Sequence, residues 1–284
     1  MAAKRAHQKI VVAWDGSQPS ATTFPLANIV GSQLGADVEI LHVLEPGASP
    51  EEFAAAVRKV GLDGLEASML RVETGDVVQT ILAAAEEPDV ALVVLTTHVT
   101  AIKEGRHLGS VARAVVLGTE KPVLLVRPEA PASRGEMRRL LLPADGTPKT
   151  AIALGPATEL ARRLGAALDL LYVAGPRTQV PDERGSIRAP RYVDQQQHEW
   201  PSWADEVGDR LARSCASCPP EVQVQVFLAQ GNISAEIENF AIQHSSDAIV
   251  LVRRSRLQAG RARTLRSLLE RAPCPVLILS GPED

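Results

Sequence analysis

The sequence contains one stretch twice, and that repeat limits the fold more than any other feature. Residues 10–43 read IVVAWDGSQPSATTFPLANIVGSQLGADVEILHV, and residues 140–173 read LLLPADGTPKTAIALGPATELARRLGAALDLLYV. Asp15 and Val43 stand 28 positions apart, as do Asp145 and Val173, and Gly35-Ala36 maps onto Gly165-Ala166 at the same offset of 130. Self-similarity over such a length means two copies of one domain. At 284 residues each copy is large enough to bury a core without disulfides or metal.

Strand and helix signals alternate along the first copy. Lys9 to Trp14 is an apolar run without alternation, the mark of a strand covered on both faces. A helical pattern runs from Ser20 to Leu34, and Gly35 closes it as a C-terminal cap. Val38 to Val43 reads as the second strand, Glu51 to Val60 as a helix, and Leu65 to Val72 as the third strand. A helix follows over Val77 to Ala85, then a strongly apolar strand over Val90 to Leu95 and a polar loop from Thr96 to Leu108. Ser110 to Leu117 is the last helix and Pro122 to Val126 the fifth strand.

This order predicts an α/β protein of two tandem Rossmann-like domains, each a five-stranded parallel sheet with helices on both faces. Aromatics are 3% against 45% hydrophobics, so Val, Leu, Ile and Ala fill the core, as parallel sheets favour. The domains are read as residues 1–128 and 137–284, joined by a linker over 129–136. Gly75 maps onto Gly231 at an offset of 156, so about 26 residues are added after Val173, within 174–200. Pro122-Val123 maps onto Pro275-Val276 at 153, which removes three residues after the fourth strand.

Several function classes are excluded as expectations. A net charge of −4 speaks against a nucleic-acid footprint. No apolar run approaches membrane-spanning length, and no secretory signal is visible at the start. Three cysteines suggest a reducing compartment, so a cytoplasmic location is expected. Cys215-Ala216-Ser217-Cys218 is a lone C-x-x-C that closes a helix rather than opening one, and it has no second pair to complete a zinc site; both cysteines are read as incidental. Cys274, at the start of a strand, is expected to be buried.

In parallel sheets ligands bind beyond the carboxyl ends of the strands. The informative residues are therefore Asp15, Val43 and the segment from Thr96. Trp14-Asp15-Gly16-Ser17, Gly35-Ala36 before Leu41-His42-Val43, Thr74-Gly75-Asp76, and Gly109-Ser110-Val111-Ala112 together resemble the universal stress protein family in its tandem form. Asp145-Gly146-Thr147 and Ala272-Pro273-Cys274-Pro275-Val276 carry the same resemblance in the second copy.

The resemblance implies a candidate ATP site in the first copy, made by Ala13, Asp15, Val43, Thr96, Val99, Gly109, Ser110 and Val111. Family members that bind ATP share a loop G-x2-G-x9-G-[ST] after the fourth strand, whose bare backbone and helix N-terminus suit phosphates. Gly109-Ser110 match its end, but Thr96 and Val99 replace the two earlier glycines. Val99 is the worse departure, because a β-branched residue resists positive φ. In the second copy Asp145 and Val173 remain as vestiges. Val252 and Ser255 replace the first glycines, and Ala262-Arg263 replace the final Gly-Ser. Arg253, Arg254, Arg256, Arg261, Arg263 and Arg266 crowd the segment; their paired hydrogen bonds suit an anionic ligand or partner, but the favoured reading is a solvated basic face.

No nucleophile with a paired base is readable, no metal site is evident, and His98 and His107 read as exposed loop histidines. His107-Leu108-Gly109-Ser110 follows the fourth strand, so it is not the HxGH signature of nucleotidyl transferases, which follows the first. The expected function is a non-catalytic stress-response role with a small-molecule ligand or protein partner and no certain cofactor. An ATP-binding switch in the first domain, with weak hydrolysis, is the alternative. The resemblance also implies pairing of the fifth strands, Val123–Val126 and Val276–Leu279, within the chain, with a homodimer as the further assembly.

Overall fold

The computed structural model describes residues 8–44, 50–61, 69–97, 100–102, 105–107, 109–128, 135–144, 146, 148–175, 200–253 and 267–281. Contacts divide the chain into two compact units, residues 1–136 and 137–284.

In the first unit, β1 (Gln8–Trp14), β2 (Ala36–Leu44), β3 (Leu70–Thr74), β4 (Val90–Thr96) and β7 (Val123–Val126) form the main sheet, with α1 (Gln18–Ala21), α2 (Phe24–Leu34), α3 (Pro50–Lys59), α4 (Val77–Ala85) and α5 (Ser110–Gly118) between them. All pairings in that sheet are parallel and its order is β3-β2-β1-β4-β7. Consecutive residues of a strand face opposite sides. Ile10, Val11 and Val12 are all fully buried, as are Val93 and Val94, so helices cover both faces.

The second unit repeats the plan. Its strands are β8 (Arg139–Ala144), β9 (Ala167–Ala174), β10 (Val224–Gln230), β11 (Ala248–Arg253) and β12 (Val276–Ser280), and its helices include α6 (Pro148–Leu164), α7 (Trp200–Ser214) and α8 (Ile233–Gln243). The parallel order is β10-β9-β8-β11-β12. The two registers agree position by position: Leu92 pairs Ile10 as Ala248 pairs Leu140, and Val93 pairs Val123 as Ile249 pairs Val276.

Four sequence expectations need correction. The helix over Ser20 to Leu34 is broken: α1 ends at Ala21 and α2 starts at Phe24. Pro25 has no N–H for the Ala21 carbonyl, and its ring crowds that oxygen, so a continuous helix cannot pass. Thr22 and Thr23 fill the break by donating their hydroxyls to the main-chain oxygens of Pro19 and Ser20, at 2.6 and 2.8 Å. The third strand runs over Leu70–Thr74, later than Leu65 to Val72, and residues 65–68 lie outside the described residues. Thr96 is the last residue of β4, not the first of a loop. The stretch after it holds a short antiparallel pair, β5 (Thr100–Ile102) with β6 (Gly105–His107). Cys274 is half-buried rather than buried, because it precedes β12 instead of lying within it.

Candidate functional site

The strand order of the first unit reverses between β1 and β4, which opens a crevice at their carboxyl ends. Asp15 leaves β1 there and is exposed. Gly16 turns the chain at φ 84°, a conformation that a side chain resists. The turn is held from within: Asp15 Oδ1 accepts from the Ser17 amide at 2.9 Å and from the Ser20 hydroxyl. The Ser17 hydroxyl in turn caps α1 by accepting from the Ser20 amide at 3.3 Å. This carboxylate therefore orders the start of α1, whatever else it meets.

Thr96 reaches the same turn from the other lip. Its hydroxyl donates to the Ser20 main-chain oxygen at 3.3 Å. Next to it, buried Thr97 ties the end of β4 to β7, its amide donating to the Val126 oxygen at 2.8 Å. Asp15, Ser20 and Thr96 thus form one run of hydrogen bonds that spans the crevice. Ala13 lies beside it on β1, half-buried and in register with Leu41 and Leu95, while Val43 stands one strand further out, on β2, in register with Glu73.

Gly109 caps α5 with φ −52°. A Cβ at this position would meet nothing within 4 Å, so neither the backbone conformation nor the packing of the described residues demands glycine. Ser110 opens α5 and is exposed, and Val111 is half-buried behind it. Val99 lies outside the described residues, as do His98 and Asp145.

In the second unit Gly146 keeps the positive φ of the turn, 69°, and Val173 is buried in β9. The matching registers put Val252 where Thr96 stands, within β11. It brings no hydroxyl to the crevice. Of the six arginines in this segment, Arg253 is described, and it donates to the Ser280 hydroxyl at 3.0 Å across the ends of β11 and β12. The other five and Ser255, Ala262 lie outside the described residues.

Sequence reasoning missed His42. It is buried beneath the β1 turn, its Nδ1 donates to the Trp14 oxygen at 2.8 Å, and its ring stacks on Phe53 with centroids 4.8 Å apart. Trp14 lies 5.3 Å from it, and Phe24 and Phe53 complete the cluster. Only nine residues of the chain are Trp, Tyr or Phe, and three of them gather under this one turn. Their scarcity was the available signal. Among the described residues no cluster of three or more His, Cys, Asp or Glu is placed to hold a metal ion. None of the described helices is long and apolar enough to cross a membrane.

These features define a class: two successive doubly wound α/β domains, each with a crevice where its strand order reverses. The sequence model of the universal stress protein family matches residues 6–127 and again 136–280. The chain belongs to that family, in its tandem form. Among solved structures, a universal stress protein from Archaeoglobus fulgidus is 17% identical and aligns over 96% of this chain and 98% of its own, with a TM-score of 0.61. A universal stress protein from Pseudomonas aeruginosa is 13% identical over 97% of this chain and 94% of its own, with a TM-score of 0.62. No curated protein matches the sequence.

Proposed function

We propose that this chain is a non-catalytic stress-response protein whose first unit keeps a narrowed ligand crevice and whose second unit has lost its own. The observation that carries the reading is the Thr96 hydroxyl on the Ser20 oxygen. Family members that bind ATP have bare backbone at this point, and a phosphate chain needs it. Here a branched side chain fills the place and latches the two lips together. Asp15 supports the same reading, since its Oδ1 already serves the start of α1. In the second unit Val252 supplies bulk without any polar group, which favours an unoccupied fold whose role is contact with its own chain or a protein partner.

An ATP-binding switch in the first unit is the second reading, and Gly109 favours it. Glycine persists there without a conformational or packing reason, in open space at the start of a helix, where a main-chain amide can meet an anion. Equilibrium dialysis of the full chain against millimolar ATP separates the two. No retained nucleotide is expected, and retention of one equivalent would establish the switch. Mass spectrometry of small molecules that co-purify with the native protein then identifies what the narrowed crevice holds.

A further inference from the structure

The C-x-x-C of this chain lies where a thioredoxin-type pair does not, at the end of a helix, and that position brings its sulfurs together. α7 ends at Ser214, and Cys215–Ser217 continues as a tighter 3-10 turn whose C-terminal cap is Cys218. The Cys218 amide donates to the Cys215 oxygen at 2.9 Å. Such a turn has three residues per revolution, so side chains three apart eclipse one another, and three rises of about 2.0 Å separate their Cα atoms by about 6 Å. That falls within the span of roughly 4.4–6.8 Å that a disulfide bridges. The two thiols share a side-chain hydrogen bond. Both residues are half-buried rather than sealed in the core.

We propose that Cys215 and Cys218 are a thiol–disulfide site, closing to an intrachain disulfide that locks the turn between α7 and the edge strand β10. The oxidant is a low-molecular-weight disulfide, R–S–S–R. The Cys218 thiol loses its proton and attacks one sulfur of the reagent. The reagent's S–S bond breaks, one R–S⁻ leaves, and Cys218 holds a mixed disulfide. The Cys215 thiol then loses its proton, attacks the Cys218 sulfur and expels the second R–S⁻. The two protons end on the two released thiolates, so two cysteine thiols become one cystine while one external disulfide becomes two thiols.

The environment sets both the order and the speed. Burial, and then the neighbouring Cys218, push the Cys215 thiol up to about 11. Burial also raises Cys218, but the hydrogen bond from Cys215 works against it, which favours Cys218 as the attacking thiol. Few thiolates exist at neutral pH, so closure is slow and accelerates with pH. The same lack of thiolate stabilisation makes the disulfide, once closed, hard to reduce, the opposite of a strongly oxidising pair.

The test exposes the full chain to oxidised glutathione across pH 7 to 9 and maps thiols by peptide mass spectrometry. Cys215 and Cys218 should leave as one peptide lighter by two hydrogens, with a rate that climbs about tenfold per pH unit. Cys215→Ser should accumulate glutathione on Cys218, because the resolving thiol is gone, whereas Cys218→Ser should slow the first attack. Serine matches cysteine in size, and circular dichroism checks that both variants keep their fold. Glutathione persisting on the wild-type pair, disulfide-linked dimers, or two intact thiols after a free dithiol in the same tube is fully oxidised would each overturn the proposal.

Discussion

Asp169 is sealed inside the second unit, and Arg139 reaches it from the neighbouring strand, 2.9 Å from Nη1 to Oδ2. The first unit holds a pair at the same two repeat positions, Lys9 with Glu39 at 3.2 Å. Both pairs lie at the amino ends of the first two strands, at the opposite end of the sheet from the crevice. They therefore belong to the fold rather than to the ligand. The two sides of the second pair differ, because the Asp169 side chain is 1% exposed and that of Arg139 is 37%. Arg139→Ala would strand a carboxylate without water, and should cost about 3–5 kcal/mol. Asp169→Ala leaves a cation that can turn to solvent, and should cost clearly less. Urea unfolding of both variants checks the asymmetry.

The first unit extends its pair into a network. Glu87 accepts from Lys9 at 2.6 Å and from Arg71 at 2.6 Å, and Arg71 also meets Glu73. Hydrogen bonds from Lys9, and then from Arg71, hold the Glu87 carboxyl below its usual value. A carboxylate depressed in the folded state contributes stability above its unfolded pKa of about 4.3, and that contribution is lost as pH falls through the lower folded value. Glu87→Gln should therefore lower stability at pH 7 and flatten its fall below pH 5. Unfolding midpoints measured from pH 7 to 3 check this, and parallel curves for the variant and the parent would refute it.

Beside the Asp15 carboxylate, the Ser17 hydroxyl holds the start of α1. Ser17→Ala removes the acceptor of the Ser20 amide and should cost about 1 kcal/mol, the usual value of an N-cap. The Trp14 indole donates to the Ser17 main-chain oxygen at 3.0 Å, and that bond survives the substitution. A loss in thermal stability without a large change in Trp14 fluorescence is the expected result.

What could be read from the sequence follows from where each signal is stored. β1, β4 and β7 were legible because strands buried on both faces spell themselves as apolar runs, whereas β2, with Asp37, Glu39 and His42 in it, was placed by the Gly35 cap before it. β3 was legible as a strand but placed too early, since it is an edge strand that carries Arg71 and Glu73, which leave no apolar run to fix its bounds. The break between α1 and α2 was written in Pro25, but the apolar spacing on either side masked it. At the crevice, Asp15 and Gly109 were visible through the repeat and the resemblance. The partner of Thr96 was not, because a main-chain oxygen 76 residues away leaves no mark in side-chain identity. His42 is similar: its meaning comes from Phe53, brought over it by α3.

The latch itself can be opened. Thr96→Gly deletes the hydroxyl bonded to Ser20 and the bulk beside it, and restores the backbone that a phosphate loop uses. Paired with Val99→Gly it should strengthen ATP retention in the first unit, measured by equilibrium dialysis, if side chains alone have closed the crevice. Thr96→Val separates the two effects, because it keeps the bulk and loses the hydrogen bond. It should weaken the join between α1 and β4 by about 1 kcal/mol in thermal unfolding and leave ATP unbound. Equal affinity of the parent, the valine variant and the double glycine variant would mean that neither residue controls access, and the narrowed-crevice reading would fail.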